Sequence, residues 1–121
     1  VKDKQSRCRF IKWIVCMSVL GKRIKQARVQ AGLSQERLGL DAGLDEMSAS
    51  TRMNRYELGK RVPAPDFVER LSKVLNVPAA FFYAVEDDEA ELLVKFHKLH
   101  ELGRVELMSR LDELLVAKPS D

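Results

Sequence analysis

From residue 18 onward the apolar positions recur with a helical period. Leu20, Ile24, Ala27 and Ala31 stand at i, i+4, i+7 and i+11, on one face of a helix. Gly32 ends that pattern as a left-handed C-terminal cap would. Ser34 is placed to cap the next helix, with Gln35 and Glu36 in its first turn near the positive end of the dipole. That second helix is short and reaches Ala42-Gly43. A third turns Ala49, Met53 and Tyr56 inward and stops at Gly59. Val62-Pro63-Ala64-Pro65 is a rigid connector, after which Asp66 opens a fourth helix with a stripe of Phe67, Val68, Leu71, Val74 and Leu75. Asn76-Val77-Pro78 breaks it, and Pro78 suits the first position of a fifth, short helix through Tyr83. Residues 86–118 run from acidic to amphipathic, and Gly103 is expected to divide them into two helices. No strand pattern and no repeat is present, so the fold class is all-α. Met47 and Met53 are expected in the core rather than as a redox device.

Composition narrows the function more by exclusion than by indication. The 121 residues are 45% hydrophobic and 32% charged, which excludes wholesale disorder. No apolar run approaches the roughly 20 residues needed to cross a bilayer. Two cysteines, Cys8 and Cys16, make neither a disulfide framework nor a four-ligand metal site and are expected as free thiols. His97 and His100 stand three apart near Glu101, a metal-compatible spacing that surface histidines more often hold without any metal. Asp41, Asp45 and Glu46 cluster, but no nucleophile-base pair or Gly-rich phosphate loop accompanies them, so an enzyme is not expected and neither is a cofactor or metal.

Charge is unevenly spread. Residues 1–16 carry five basic and one acidic side chain, residues 17–85 eleven and seven, residues 86–121 five and ten. A basic body with an acidic tail suits a polyanion-facing surface with a separate task at the C-terminal end. Residues 1–17 differ in character from the rest of the chain. Their apolar run Phe10-Ile11-Lys12-Trp13-Ile14-Val15-Cys16 is short, carries Lys12 and lacks an Ala-x-Ala-like cleavage site, which argues against a secretory leader. They are expected to be a non-native or disordered extension, with Met17 as a candidate start. The competing reading packs Trp13 on the body.

The informative stretch is Gly32-Leu33-Ser34-Gln35-Glu36-Arg37-Leu38-Gly39, then Ala42-Gly43, then Tyr56-Glu57-Leu58-Gly59-Lys60-Arg61-Val62-Pro63. It describes two short helices joined at a glycine and followed by a basic loop. Gly39 inside the first costs about 1 kcal/mol against alanine, tolerable where another helix crosses very close. The second presents Ser50, Thr51, Arg52, Asn54 and Arg55, hydrogen-bonding side chains suited to base edges and phosphates. These motifs resemble the phage-repressor (Cro/cI or Xre-type) helix-turn-helix family over roughly residues 19–84. The resemblance implies a five-helix DNA-binding domain at 18–84, with residues 85–118 as additional C-terminal helices.

One departure bears on the site. Between Ala42-Gly43 and Glu57 this chain has about four residues more than the usual family spacing, close to one helical turn. Counting back from Glu57 puts the family's base-reading positions on Ser50, Thr51 and Arg55, with Asn54 able to cap or read. Counting forward from Gly43 gives Asp45–Met47, an acidic and apolar set poorly suited to DNA, so the backward count is adopted. Gln35 resembles the family residue that holds a backbone phosphate, and Ser34 is expected both to cap and to offer amides to it. Arg55 suits bidentate contact with guanine, whereas Arg52, Lys60 and Arg61 suit phosphates and set affinity and salt slope. The resemblance also implies an ion pair between Arg28 and Glu57 that orients the recognition helix.

The tail offers Leu92, Phe96, Leu99, Met108, Leu111 and Leu115 as a dimer or partner surface, unless its helices fold back on the domain. One recognition helix samples few base pairs, so such domains usually bind palindromic sites as dimers. The expected function is a sequence-specific regulator of transcription, a repressor acting as a homodimer on double-stranded DNA by occlusion. Its expected setting is the cytoplasm of a prokaryote or a phage-infected cell, on the nucleoid, without membrane attachment. Three alternatives stay open: an antitoxin gripping a toxin through its tail, a restriction-modification controller, and a helical adaptor without DNA.

Overall fold

The computed structural model describes residues 19–117, and the expectations for residues 1–17, with Cys8, Cys16 and Trp13, lie outside them. Among the described residues there are α-helices, one 3-10 helix and no strand. In order they are α1 (residues 19–30), α2 (Gln35–Asp41), α3 (Ala49–Glu57), α4 (Pro65–Leu75), the 3-10 turn Ala79–Tyr83, α5 (Asp87–Lys98) and α6 (Glu101–Val116).

The predicted inward faces form one core, except that Ala31, beyond the end of α1, is exposed. Leu20, Ile24 and Ala27 of α1 pack with Leu38 of α2, Ala49, Met53 and Tyr56 of α3, and Phe67, Val68, Leu71 and Leu75 of α4. Val74 lies partly buried at its margin. Gly32 takes φ +72°, and the amides of Gly32 and Leu33 return to the carbonyls of Val29 and Arg28, closing α1. Helix α4 begins at Pro65, one residue before the Asp66 start expected, because proline at a first turn surrenders no helical hydrogen bond.

Three sequence expectations need correction. Pro78 caps the segment after α4 rather than opening a helix, and that segment is 3-10, pinned by buried Phe81 and Phe82. The tail divides at Leu99–His100 rather than at Gly103. His100 caps α6, its Nδ1 accepting from the Gly103 amide at 3.0 Å, so the histidine serves the backbone. Arg104 then locks the corner by stacking 4.6 Å from the Phe96 ring centroid and donating to the carbonyls of Phe96 and His97. Met47, expected in the core, is 92% exposed.

A buried arginine ties the domain to the tail. Arg23 is 1% exposed and donates to the carbonyls of Ala84 and Val85 and to Gln26, with Asp87 at 3.0 Å. Every buried donor of this guanidinium thus meets an acceptor, as burial of a charge requires. Beyond that anchor the tail opens outward. Ala90 is the buried residue of α5, Leu93 and Val94 pack partly on the core, and α6 buries none. No described helix is long and apolar enough to cross a membrane, and no group of three or more potential metal ligands occurs among the described residues.

Candidate nucleic-acid interface

The α2–α3 pair is held by a close crossing. A Cβ on Gly39 would lie 2.9 Å from the Ala49 Cβ and 3.0 Å from its carbonyl, so only glycine lets the helices approach this far. Ala49 and Met53, fully buried, sit beneath. Between the helices Gly43 takes φ +97°, and the Leu44 amide returns to the Gly39 carbonyl at 2.8 Å.

Residues 45–48, just before α3, form a helical turn. The amides of Ser48 and Ala49 bond back to the Asp45 carbonyl at 3.2 and 2.9 Å, and the Arg52 amide to that of Ser48. Asp45 caps this turn with both carboxylate oxygens: Oδ1 accepts from the Met47 amide at 2.8 Å and Oδ2 from the Ser48 hydroxyl at 2.7 Å. The Ser48 hydroxyl, then the Met47 amide, hold the Asp45 carboxyl below its ordinary value. The helical path is therefore longer at its N-terminal end than α3 alone.

On α3, Ser50, Thr51, Arg52, Asn54 and Arg55 are exposed, opposite or flanking the buried Ala49, Met53 and Tyr56. Arg52 bonds the Tyr56 hydroxyl at 3.1 Å along the helix edge. Among the described residues Arg55, Lys60 and Arg61 form no ion pair, so their charge is available to an anion. Lys60 and Arg61 follow α3 after Leu58 and Gly59, their amides turned back to the Arg55 carbonyl.

Glu57 closes the site from behind. Arg28 grips it with two nitrogens, Nε at 2.8 Å and Nη2 at 3.1 Å, while its Nη1 donates to the Leu33 carbonyl. Their side chains are 14% and 3% exposed. Gln35 joins them: its Nε2 lies 3.3 Å from Glu57 Oε1 and 3.3 Å from Asn54 Oδ1. The amide expected to hold a phosphate is turned here toward α3, linking the start of α2 to that helix. Ser34 is exposed beside it and accepts from the Arg37 amide at 3.0 Å. Sequence reasoning missed Asp45 as a capping residue, although Asp followed three residues later by Ser is a turn signal.

A family model described as a helix-turn-helix domain matches residues 19–81. Over 64 residues the chain is 33% identical to an uncharacterized HTH-type transcriptional regulator of Sinorhizobium medicae (strain WSM419). It is as similar to uncharacterized HTH-type transcriptional regulator R00410 of Rhizobium meliloti (strain 1021). Each match covers 53% of this chain and 43% of the relative, so it spans less than half the length of those proteins. The crystal structure of transcriptional regulator BswR is similar over 82% of this chain and 98% of that one, with a TM-score of 0.76 and 43% identity.

Proposed function

This chain belongs to the helix-turn-helix domain family, and on that premise we propose that it regulates transcription by binding double-stranded DNA sequence-specifically through α2 and α3. The observation that carries this reading is the exposed face of Ser50, Thr51, Asn54 and Arg55, flanked by free cations and fixed from behind by Arg28 and Glu57. Ser50, Thr51, Asn54 and Arg55 contact base edges; Ser34, Gln35, Arg52, Lys60 and Arg61 serve the phosphates. Gln35 needs only to swing its amide away from Asn54 to do so. The regulator acts as a repressor, covering a palindromic operator as a homodimer in a bacterial cytoplasm.

The domain at 18–84 carries the DNA contacts and the tail at 85–118 the second copy. Helix α6 supports that division, because none of its residues is buried among the described residues while Leu102, Val105, Met108, Leu114 and Leu115 are at least half exposed. So much apolar surface on one unpacked helix marks an interface. Of the tail residues expected to form it, Leu92, Leu99, Met108 and Leu115 are exposed, while Phe96 and Leu111 are half-buried.

Selection of binders from random duplexes, followed by anisotropy titration at two salt concentrations, tests the reading. Recovery of a two-fold symmetric site bound far more tightly than scrambled DNA is the expected result. Uniform weak binding that vanishes with salt would reject it. Sedimentation at micromolar concentration should give a dimer; a monomer would leave α6 to a different protein partner, as in an antitoxin.

Two variants then separate the roles on α3. Arg55→Ala should lose about 1–3 kcal/mol of discrimination at one base pair of each half-site. Lys60→Ala should weaken all duplexes alike and reduce the salt slope by about one per protomer, hence about two for the dimer. If the two variants behaved identically, the division into reading and positioning residues would be wrong.

A further inference from the structure

We propose that Met47 is a specificity-determining residue that packs against the 5-methyl group of a thymine in each half-site. The inference rests on the DNA-binding reading and extends it to a turn that the family spacing leaves undefined.

Met47 has the greatest exposure, 92%, of the large apolar residues in the described chain. A single exposed methionine is unremarkable by itself. Its position is what matters. The turn Asp45–Ser48 is bonded onto the start of α3, since the Ala49 amide returns to the Asp45 carbonyl and the Arg52 amide to that of Ser48. Met47 therefore sits one helical turn ahead of Thr51, with Asn54 and Arg55 following at i+7 and i+8. That row lies on the side of the helix away from buried Ala49, Met53 and Tyr56. Met47 thus extends the reading face at its N-terminal end, the part of a recognition helix that meets base edges.

The turn is also held in place. Asp45 fixes the Met47 amide and the Ser48 hydroxyl, so the Met47 backbone is positioned before any duplex arrives. Only the side chain remains to be ordered on binding.

Chemistry selects the occupant. A thioether chain has no donor to offer a base edge, and the apolar group displayed in the major groove is the thymine methyl. The neighbouring Asp45 carboxylate is directed onto the turn itself, at the Met47 amide and the Ser48 hydroxyl. Methionine is flexible enough to fill the space beside a methyl group without demanding one geometry.

Replacing thymines of the selected site one at a time by deoxyuridine removes the methyl and leaves the pairing edge intact. For the wild-type protein, one thymine in each half-site should lose about fourfold in affinity on this change, the value of one buried methyl-sized group. Met47→Ala should bind the unmodified site more weakly and be indifferent to deoxyuridine at that position. Met47→Leu should keep the sensitivity. Unfolding midpoints of both variants should match the wild type, because the side chain is exposed. If no duplex is bound more tightly than scrambled DNA, the DNA-reading proposal fails and this one with it. If a site is bound but no deoxyuridine matters, or Met47→Ala keeps the full methyl sensitivity, the Met47 assignment alone is overturned.

Discussion

Glu57→Ala should lower the stability of the protein by about 3 kcal/mol, enough to move the thermal midpoint by about 10 °C or more. The Glu57 side chain is 3% exposed and accepts from two nitrogens of Arg28 at 2.8 and 3.1 Å. Removing it leaves Arg28, 14% exposed, with the Leu33 carbonyl as its remaining partner and most of a charge without compensation. Gln35 loses an acceptor at the same time. The cost is that of stranding a partner, not the worth of the pair, so the double variant Arg28→Met with Glu57→Leu should recover a large part of it. Urea unfolding of the three proteins separates these effects. An unchanged midpoint in Glu57→Ala would show that the pair does not anchor α3. Operator affinity should fall in Glu57→Ala even where the chain remains folded, because the pair joins α1 and the α1–α2 turn to the end of the recognition helix.

Much of the domain was legible because its signals are local. Glycine after an amphipathic run ends a helix, and Gly32 and Gly59 do so with φ of +72° and +74°. Gly39 inside a helix signalled a close crossing, and Ala49 lies against it. The Arg28–Glu57 contact, 29 residues apart in the chain, was legible only through the resemblance, since no periodicity links such positions. Met47 was misread although a local signal existed: it lies two residues before buried Ala49, and two residues along a helix turn a side chain to the opposite face.

The tail shows the other limit. Arg23 lies within the apolar stripe of α1, between Leu20 and Ile24, and that intrusion was readable. Its backbone acceptors are carbonyls 61 and 62 residues away, and those depend on the path of the chain. Gly103 drew the expected break because glycine is a weak helix former. A capping imidazole at His100 and the stacking of Arg104 on Phe96 outweighed that propensity and placed the corner earlier. No pattern distinguishes an amphipathic helix that folds back from one that stands open, so the exposure of α6 came from the structure alone.

Gly21→Ala should destabilise the protein by about 2 kcal/mol, with the opposite sign to that expected from helix propensity. In an unconstrained helix the same change stabilises by roughly 1 kcal/mol, since alanine loses less backbone entropy. Gly21 is buried in α1 where α3 ends, and a Cβ there would press on the Glu57 carbonyl and come within 2.8 Å of the Tyr56 carbonyl oxygen. Both obstacles are backbone, so no rotamer change relieves them, and the two helices must separate. Overpacking of this kind costs about 1–3 kcal/mol and occasionally more, and the propensity gain of roughly 1 kcal/mol offsets only part of it. The separation falls where Arg28 reaches Glu57, so Gly21→Ala and Glu57→Ala should be less damaging together than their sum. Gly103→Ala is the control. A Cβ there would meet the side chains of Leu99 and His100 at 3.2 Å, both able to shift, and the change should stay within about 1 kcal/mol. If Gly21→Ala raised the unfolding midpoint as much as Gly103→Ala, the contact between α1 and the end of α3 would be looser than described. The recognition helix would then owe its orientation to the ion pair alone.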